Sequence, residues 1–139
     1  MPATTNEIVL FDTSVHIDNQ RTACHSERIA ACPGRIRNSS VVLAELWRGA
    51  TLAAERRFVQ ALQASRPVLT PTEKNWVESG LILATIRADK GFEPAKLRDL
   101  HFDVLIALSA HSHGATLIIS NRADFELIRE YRDYKLEIW

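Results

Sequence analysis

The chain has 139 residues and 15.7 kDa, with 46% hydrophobic and 24% charged residues. That balance excludes disordered, collagen-like and low-complexity classes and suffices for one domain, residues 1–139, with a real core. Lysine plus arginine and aspartate plus glutamate stand at 17 each, so the molecule as a whole offers no net field to attract or repel nucleic acid.

No apolar run approaches the ~20 residues needed to cross a bilayer. The opening MPATTNEIVLF lacks a basic start followed by an apolar stretch, so the expectation is a cytoplasmic protein without membrane contact, with Cys24 and Cys32 as reduced thiols. Ile8 to Phe11 is a short branched apolar run ending in Asp12, which predicts a buried strand over 8–12. The chain then turns polar, and residues 21–37 carry Arg21, Arg28, Arg35 and Arg37 against Glu27 alone. Apolar residues at three- and four-residue spacing predict helices over 41–51, 53–64, 73–90 and 103–113. Between two of them, Pro67 to Pro71 is too short and too proline-bounded for a helix and reads as a strand, with Thr72 free to cap the next helix. Gly114 ends the fourth helix, Thr116 to Ser120 is a branched apolar strand, residues 123–131 form a further helix, and 134–139 alternate as a last strand. Strands separated by helices imply an α/β fold with a central parallel sheet flanked by helices on both faces.

Function is sharpest where carboxylates interrupt apolar segments. Asp12 ends the first strand, and Asp124 lies four residues past the strand that ends at Ser120. In a parallel sheet the carboxyl ends of the strands open on one edge, where ligand crevices sit. Asp103 opens the apolar run to Leu108, and Glu45 stands inside Val41 to Trp47, where an unpaired buried charge is costly. Each has a plainer explanation: Asp12 or Asp103 as a helix cap, Asp124 as a turn residue, Glu45 on a wet helix face. Together they point further. Four converging carboxylates repel by about 4 kcal/mol for each pair about 4 Å apart at an effective dielectric of about 20, which protons or a divalent cation must offset. An all-oxygen site suits Mg²⁺ or Mn²⁺, no His or Cys group has zinc-site spacing, and the usual chemistry of such a site is phosphodiester hydrolysis.

Four stretches, Ile8 to Val15, Ser40 to Ala50, Asp103 to Ala107 and Ser120 to Phe125, resemble the motifs of PIN-domain ribonucleases, most nearly the VapC-type toxins of bacterial toxin-antitoxin pairs. The resemblance runs the length of the chain in the expected order. It implies a PIN fold, a Mg²⁺ or Mn²⁺ cofactor, endoribonuclease activity on an RNA substrate, and a cognate VapB-type antitoxin. Operator DNA would be bound only through that antitoxin, and the chain would pair as a homodimer. By the resemblance Asp12, Glu45 and Asp103 are the acidic triad and Asp124 the fourth acid. Asp12, Asp103 and Asp124 would hold metal, and Glu45 would orient the attacking water or accept its proton. Ser120, Asn121 and Ser14 match supporting polar positions.

The pattern departs from the family at His101-Phe102 before Asp103, where a small or acidic residue is common. His101 is open to a supporting role, and Asp99, one helical turn before Asp103, competes with it for the third acid. The four arginines 21, 28, 35 and 37 are candidates for RNA contact, and Trp47, Leu52 and Phe58 are candidate exposed apolar residues. A second reading keeps the fold but makes the chain a catalytically weak binding module that works through its antitoxin complex. The balanced charge favours it, because nothing in the overall charge marks a nucleic-acid footprint.

Overall fold

A computed structural model describes residues 6–139; residues 1–5, part of the stretch read as lacking a secretory start, lie outside the described residues. Among the described residues, β1 (Ile8–Phe11), β2 (Arg35–Ser39), β3 (Val68–Leu69), β4 (Ala115–Ile119) and β5 (Lys135–Ile138) form one all-parallel sheet in the order β3-β2-β1-β4-β5. Seven helices connect them: α1 (Thr13–Thr22), α2 (Ser26–Ala30), α3 (Ser40–Gly49), α4 (Ala53–Ser65), α5 (Glu73–Lys90), α6 (Pro94–Ser112) and α7 (Ala123–Arg129). No helix among the described residues is long and apolar enough to cross a membrane.

Alternation along the central strands sends side chains to two cores. Leu10, Leu117 and Ile119 pack with Leu43 and Leu46 of α3, Leu105 and Leu108 of α6, and Phe125 and Ile128 of α7. Val9, Phe11 and Ile118 face the other way, onto Val15 of α1, Ile29 of α2 and Trp139. The sheet is therefore covered on both faces, as parallel sheets require. His16 is buried against the edge of the Phe11 ring, and burial lowers its pKa to about 4, so it sits in the core as a neutral ring.

Four elements depart from the sequence reading, one of them the five-residue helix α2 within the polar stretch. β2 pairs directly with β1 yet was not predicted, because Arg35-Ile36-Arg37-Asn38-Ser39 looks polar. Its buried polar residues are satisfied within the fold: the Asn38 amide donates to the distant Leu62 carbonyl at 2.8 Å, and the Ser39 hydroxyl accepts from Val42 N as the cap of α3. The polar stretch after Asp12 is helix α1, of which only Val15 and His16 are buried. Helix α6 begins at Pro94 rather than at residue 103, since its first turns are largely exposed and carry no apolar run. Asp103 is therefore a mid-helix residue and caps nothing. Of the expected exposed apolar residues Trp47 and Leu52 are exposed, whereas Phe58 packs partly buried against the core; α5 adds Trp76, Val77 and Leu81 to the exposed set. Cys24 and Cys32 are free thiols.

Candidate active site

The carboxyl ends of β1 and β4 are tied together by one hydroxyl. Asp12 follows β1, its N–H continues the ladder onto the Ile118 carbonyl at 2.9 Å, and its side chain is almost wholly buried. Its Oδ2 accepts from Ser14 N at 3.1 Å and from Ser14 Oγ at 2.6 Å, so Asp12 does cap α1 with that oxygen. Ser14 Oγ in turn accepts from the backbone N–H groups of Ser120 (3.2 Å) and Asn121 (3.3 Å) in the loop between β4 and α7. One serine thus fixes both the first acid and the loop leading to the fourth.

The other acids arrive from three helices. α3 starts directly at the carboxyl end of β2 and carries Glu45 half-buried, its Oε1 accepting from Thr13 Oγ1 at 2.8 Å and its Oε2 lying 3.9 Å from Arg48. Asp124 sits in the first turn of α7, where a negative charge suits the helix dipole, and accepts from Lys96 Nζ at 3.0 Å. Helix α6 packs on β4 and precedes it, so it runs back from the carboxyl edge with Lys96 in its first turn and Asp103 two turns on.

Asp103 is where the charges of the other three acids meet. Burial first, then the charges of Asp12, Glu45 and Asp124, push Asp103 up to about 8 against the opposing pull of Lys96. Burial raises Asp12 despite the hydrogen bonds from Ser14, and burial with the Asp12 charge raises Glu45 despite Thr13 and Arg48. The donors are carboxylate oxygens throughout, which suits a hard divalent cation and no soft one. Among the described residues no three His, Cys, Asp or Glu side chains are placed to hold a metal as they stand; Asp12, Glu45 and Asp124 are each engaged by a serine, a threonine or a lysine.

The remaining candidates fall in different places. Ser120 turns its hydroxyl away, onto Asp18 Oδ2 at 2.9 Å, and reaches the site only through its backbone, as Asn121 does. His101 Nε2 meets Ser79 Oγ of α5 at 3.0 Å, and its ring lies edge-on to Trp76, away from the acids. Asp99 is exposed in an adjoining cavity and is not among the carboxylates that shift Asp103. Arg21 lines a cavity of about 320 Å³ with Glu45, whereas Arg28 lies over the Trp139 ring at 5.5 Å. Arg35, at the amino end of β2, donates to the Asn6 carbonyl, and Arg37 to the Ile36 carbonyl. Thr13, Lys96 and Arg48 escaped the sequence reading. The signals were there: Lys96 is seven residues before Asp103, one face of a long helix, and Arg48 is three after Glu45.

With the acids in place, the comparison with known proteins is direct. The profile of the PIN domain family matches residues 9–131. The chain belongs to the PIN domain family. No curated protein matches it. This PIN domain is similar to the crystal structure of DNA-bound VapBC from Salmonella typhimurium, at 26% identity and a TM-score of 0.72 over 96% of this chain and 98% of that one. It also resembles VapBC-1 from nontypeable Haemophilus influenzae (22%, TM-score 0.69) and VapBC2 from Rickettsia felis bound to a promoter DNA fragment (23%, TM-score 0.68), each over 95% of this PIN domain and 98% of the other chain. At those identities the last two speak for the fold. The likeness to VapC-type PIN toxins carried by the four motifs thus extends over the whole sheet and its helices.

Proposed function

We propose that this PIN domain is the toxin of a toxin-antitoxin pair and acts as a Mg²⁺- or Mn²⁺-dependent endoribonuclease. Family membership supports a nuclease in general; the observation that carries the finer reading is the convergence at the carboxyl edge of the sheet of Asp12, Glu45 and Asp124 close enough to Asp103 for their charges to bear on it. Asp12, Asp103 and Asp124 would hold the cation, with Asp124 first giving up Lys96. When bound, the cation neutralises the cluster, lowers the pKa of the attacking water and steadies the scissile phosphate. Glu45 would accept the proton of an attacking water: burial and the Asp12 charge raise its pKa, and Thr13 holds one oxygen so that the other can accept. Ser14 keeps Asp12 oriented, and Lys96, released, offers its ammonium to a substrate phosphate.

The VapBC structures are complexes, and those from Salmonella typhimurium and Rickettsia felis carry DNA. By that likeness the partner of this PIN domain is a VapB-type antitoxin in a complex that binds operator DNA; beyond that likeness, the toxin is proposed to pair as a homodimer and both to work in the cytoplasm. The toxin reading is tested by expressing the chain without a partner: wild type is expected to arrest growth, and Asp12→Asn, soluble at the same level, is expected not to. Equal arrest by both would contradict the acid site as the source of toxicity.

A further inference from the structure

Resting on the ribonuclease reading, we infer that the cavity between α3 and α6 beside Glu45 binds one nucleotide of single-stranded RNA next to the scissile bond. Arg98 takes a backbone phosphate there, and the Arg48 guanidinium, backed by Phe102, takes a base face. The need for such a site follows from charge. The chain is neutral overall, and the four acids repel a polyanion, so local cations must hold the strand across them. The cavity, about 290 Å³ and lined by Glu45, Arg48, Arg98, Asp99 and Phe102, shares Glu45 with the acid cluster. Its volume is at the small end of ligand pockets, the size for one nucleotide rather than a folded element.

Arg48 is built for stacking. Its guanidinium carbon lies over the Phe102 ring, 5.5 Å from the centroid, within the range of a cation–π contact. Its side chain is 71% exposed, and its one ion partner, Glu45, is 3.9 Å away, too far for a hydrogen bond and weakly binding at the surface. Single-stranded RNA is held in just this way, by bases on aromatic or guanidinium planes and phosphates on neighbouring cations. The arginines of β2 are spent elsewhere, Arg35 on a backbone carbonyl at the amino edge of the sheet.

The test is fluorescence anisotropy of a fluorescein-labelled, mixed-sequence single-stranded RNA with the full chain in Mg²⁺, on an Asp103→Asn background so that the probe stays whole. Arg48→Ala and Arg98→Ala are each expected to weaken binding about fivefold to tenfold, and only Arg98→Ala, which removes the phosphate contact, to reduce the slope of log affinity against log salt by about 0.7. Arg48→Lys should leave the slope unchanged and fail to recover the full affinity, because an ammonium keeps the charge and loses the stack. Arg35→Ala should bind as the parent does. Unchanged binding in both alanine variants, with RNA cleavage by the unmutated protein intact, overturns the nucleotide site alone; an unmutated protein that neither binds nor cuts RNA overturns it together with the ribonuclease reading.

Discussion

Asp103→Asn is expected to abolish RNA cleavage while making the metal-free protein more stable above neutral pH. The loss follows from removing a charge meant for a cation that supplies several kcal/mol of transition-state stabilisation, which at about 1.4 kcal/mol per decade is about 10³-fold in rate. The gain follows from the crowding around the group. Burial and three neighbouring carboxylates raise Asp103 from 3.8 to about 8 in the folded protein. Between those values the folded chain binds a proton that the unfolded chain releases, so metal-free stability falls as pH rises from about 4 to about 8. Asparagine has no proton to lose there. The variant should therefore melt several degrees above wild type at pH 8 and close to it at pH 4, with Asp12 and Glu45, also raised, adding a further fall and His16, lowered from 6.5 to about 4, an opposing rise between those values in both proteins. Mg²⁺ should reverse the order by raising the wild-type melting temperature most at high pH, since a ligand that binds only the folded state stabilises it by mass action. Thermal melts of both proteins at pH 5 and 8, with chelator and with Mg²⁺, check all of this, and a wild type whose melting temperature rises from pH 5 to pH 8 in chelator would contradict it.

Ser14→Ala is expected to cost about 2 kcal/mol of stability and to lower cleavage about tenfold. The hydroxyl donates its one proton to Asp12 and accepts two backbone N–H groups, from Ser120 and Asn121. Removing it leaves the partly buried Ser120 N–H without its acceptor, at about 1–3 kcal/mol for such a loss, while the exposed Asn121 N–H can turn to water, and frees Asp12 from the group that aims it. Urea unfolding should show a lower midpoint at an unchanged slope, the sign of lost stability rather than altered compactness. A midpoint equal to wild type would mean that the two loops are held by something other than this serine.

Much of the fold was legible because its signals are local. Helix α5 runs over the predicted 73–90, for Thr72 and Asn75 form a reciprocal capping box at its start and Gly91, at φ 65°, ends it. Gly114, also at φ 65°, makes the turn from α6 into β4. Where burial depends on distant partners the pattern fails: β2 hides because Asn38 is satisfied by carbonyls 24 and 28 residues away, and α6 starts late in a reading that looks only for apolar residues. The site divides in the same way. Asp12, Glu45, Asp103 and Asp124 stand out as charges against apolar runs, and the order of a parallel sheet brings their segments to one edge. Of their holders only Ser14 was legible, as a supporting position of the motif after Asp12, and none of the contacts was. Thr13 meets Glu45 across 32 residues, Lys96 meets Asp124 across 28, and Ser14 reaches the Ser120 loop across 106, distances that no spacing rule records.

The most direct measurement is cleavage of total cellular RNA, folded transfer RNAs included, by antitoxin-free protein with Mg²⁺, with Mn²⁺ and with chelator, beside Asp103→Asn. Discrete fragments that need the cation and vanish in the variant are the predicted result and would name the substrate at once. Fragments that persist in chelator, or in Asp103→Asn, would contradict a cation-dependent reaction at these acids.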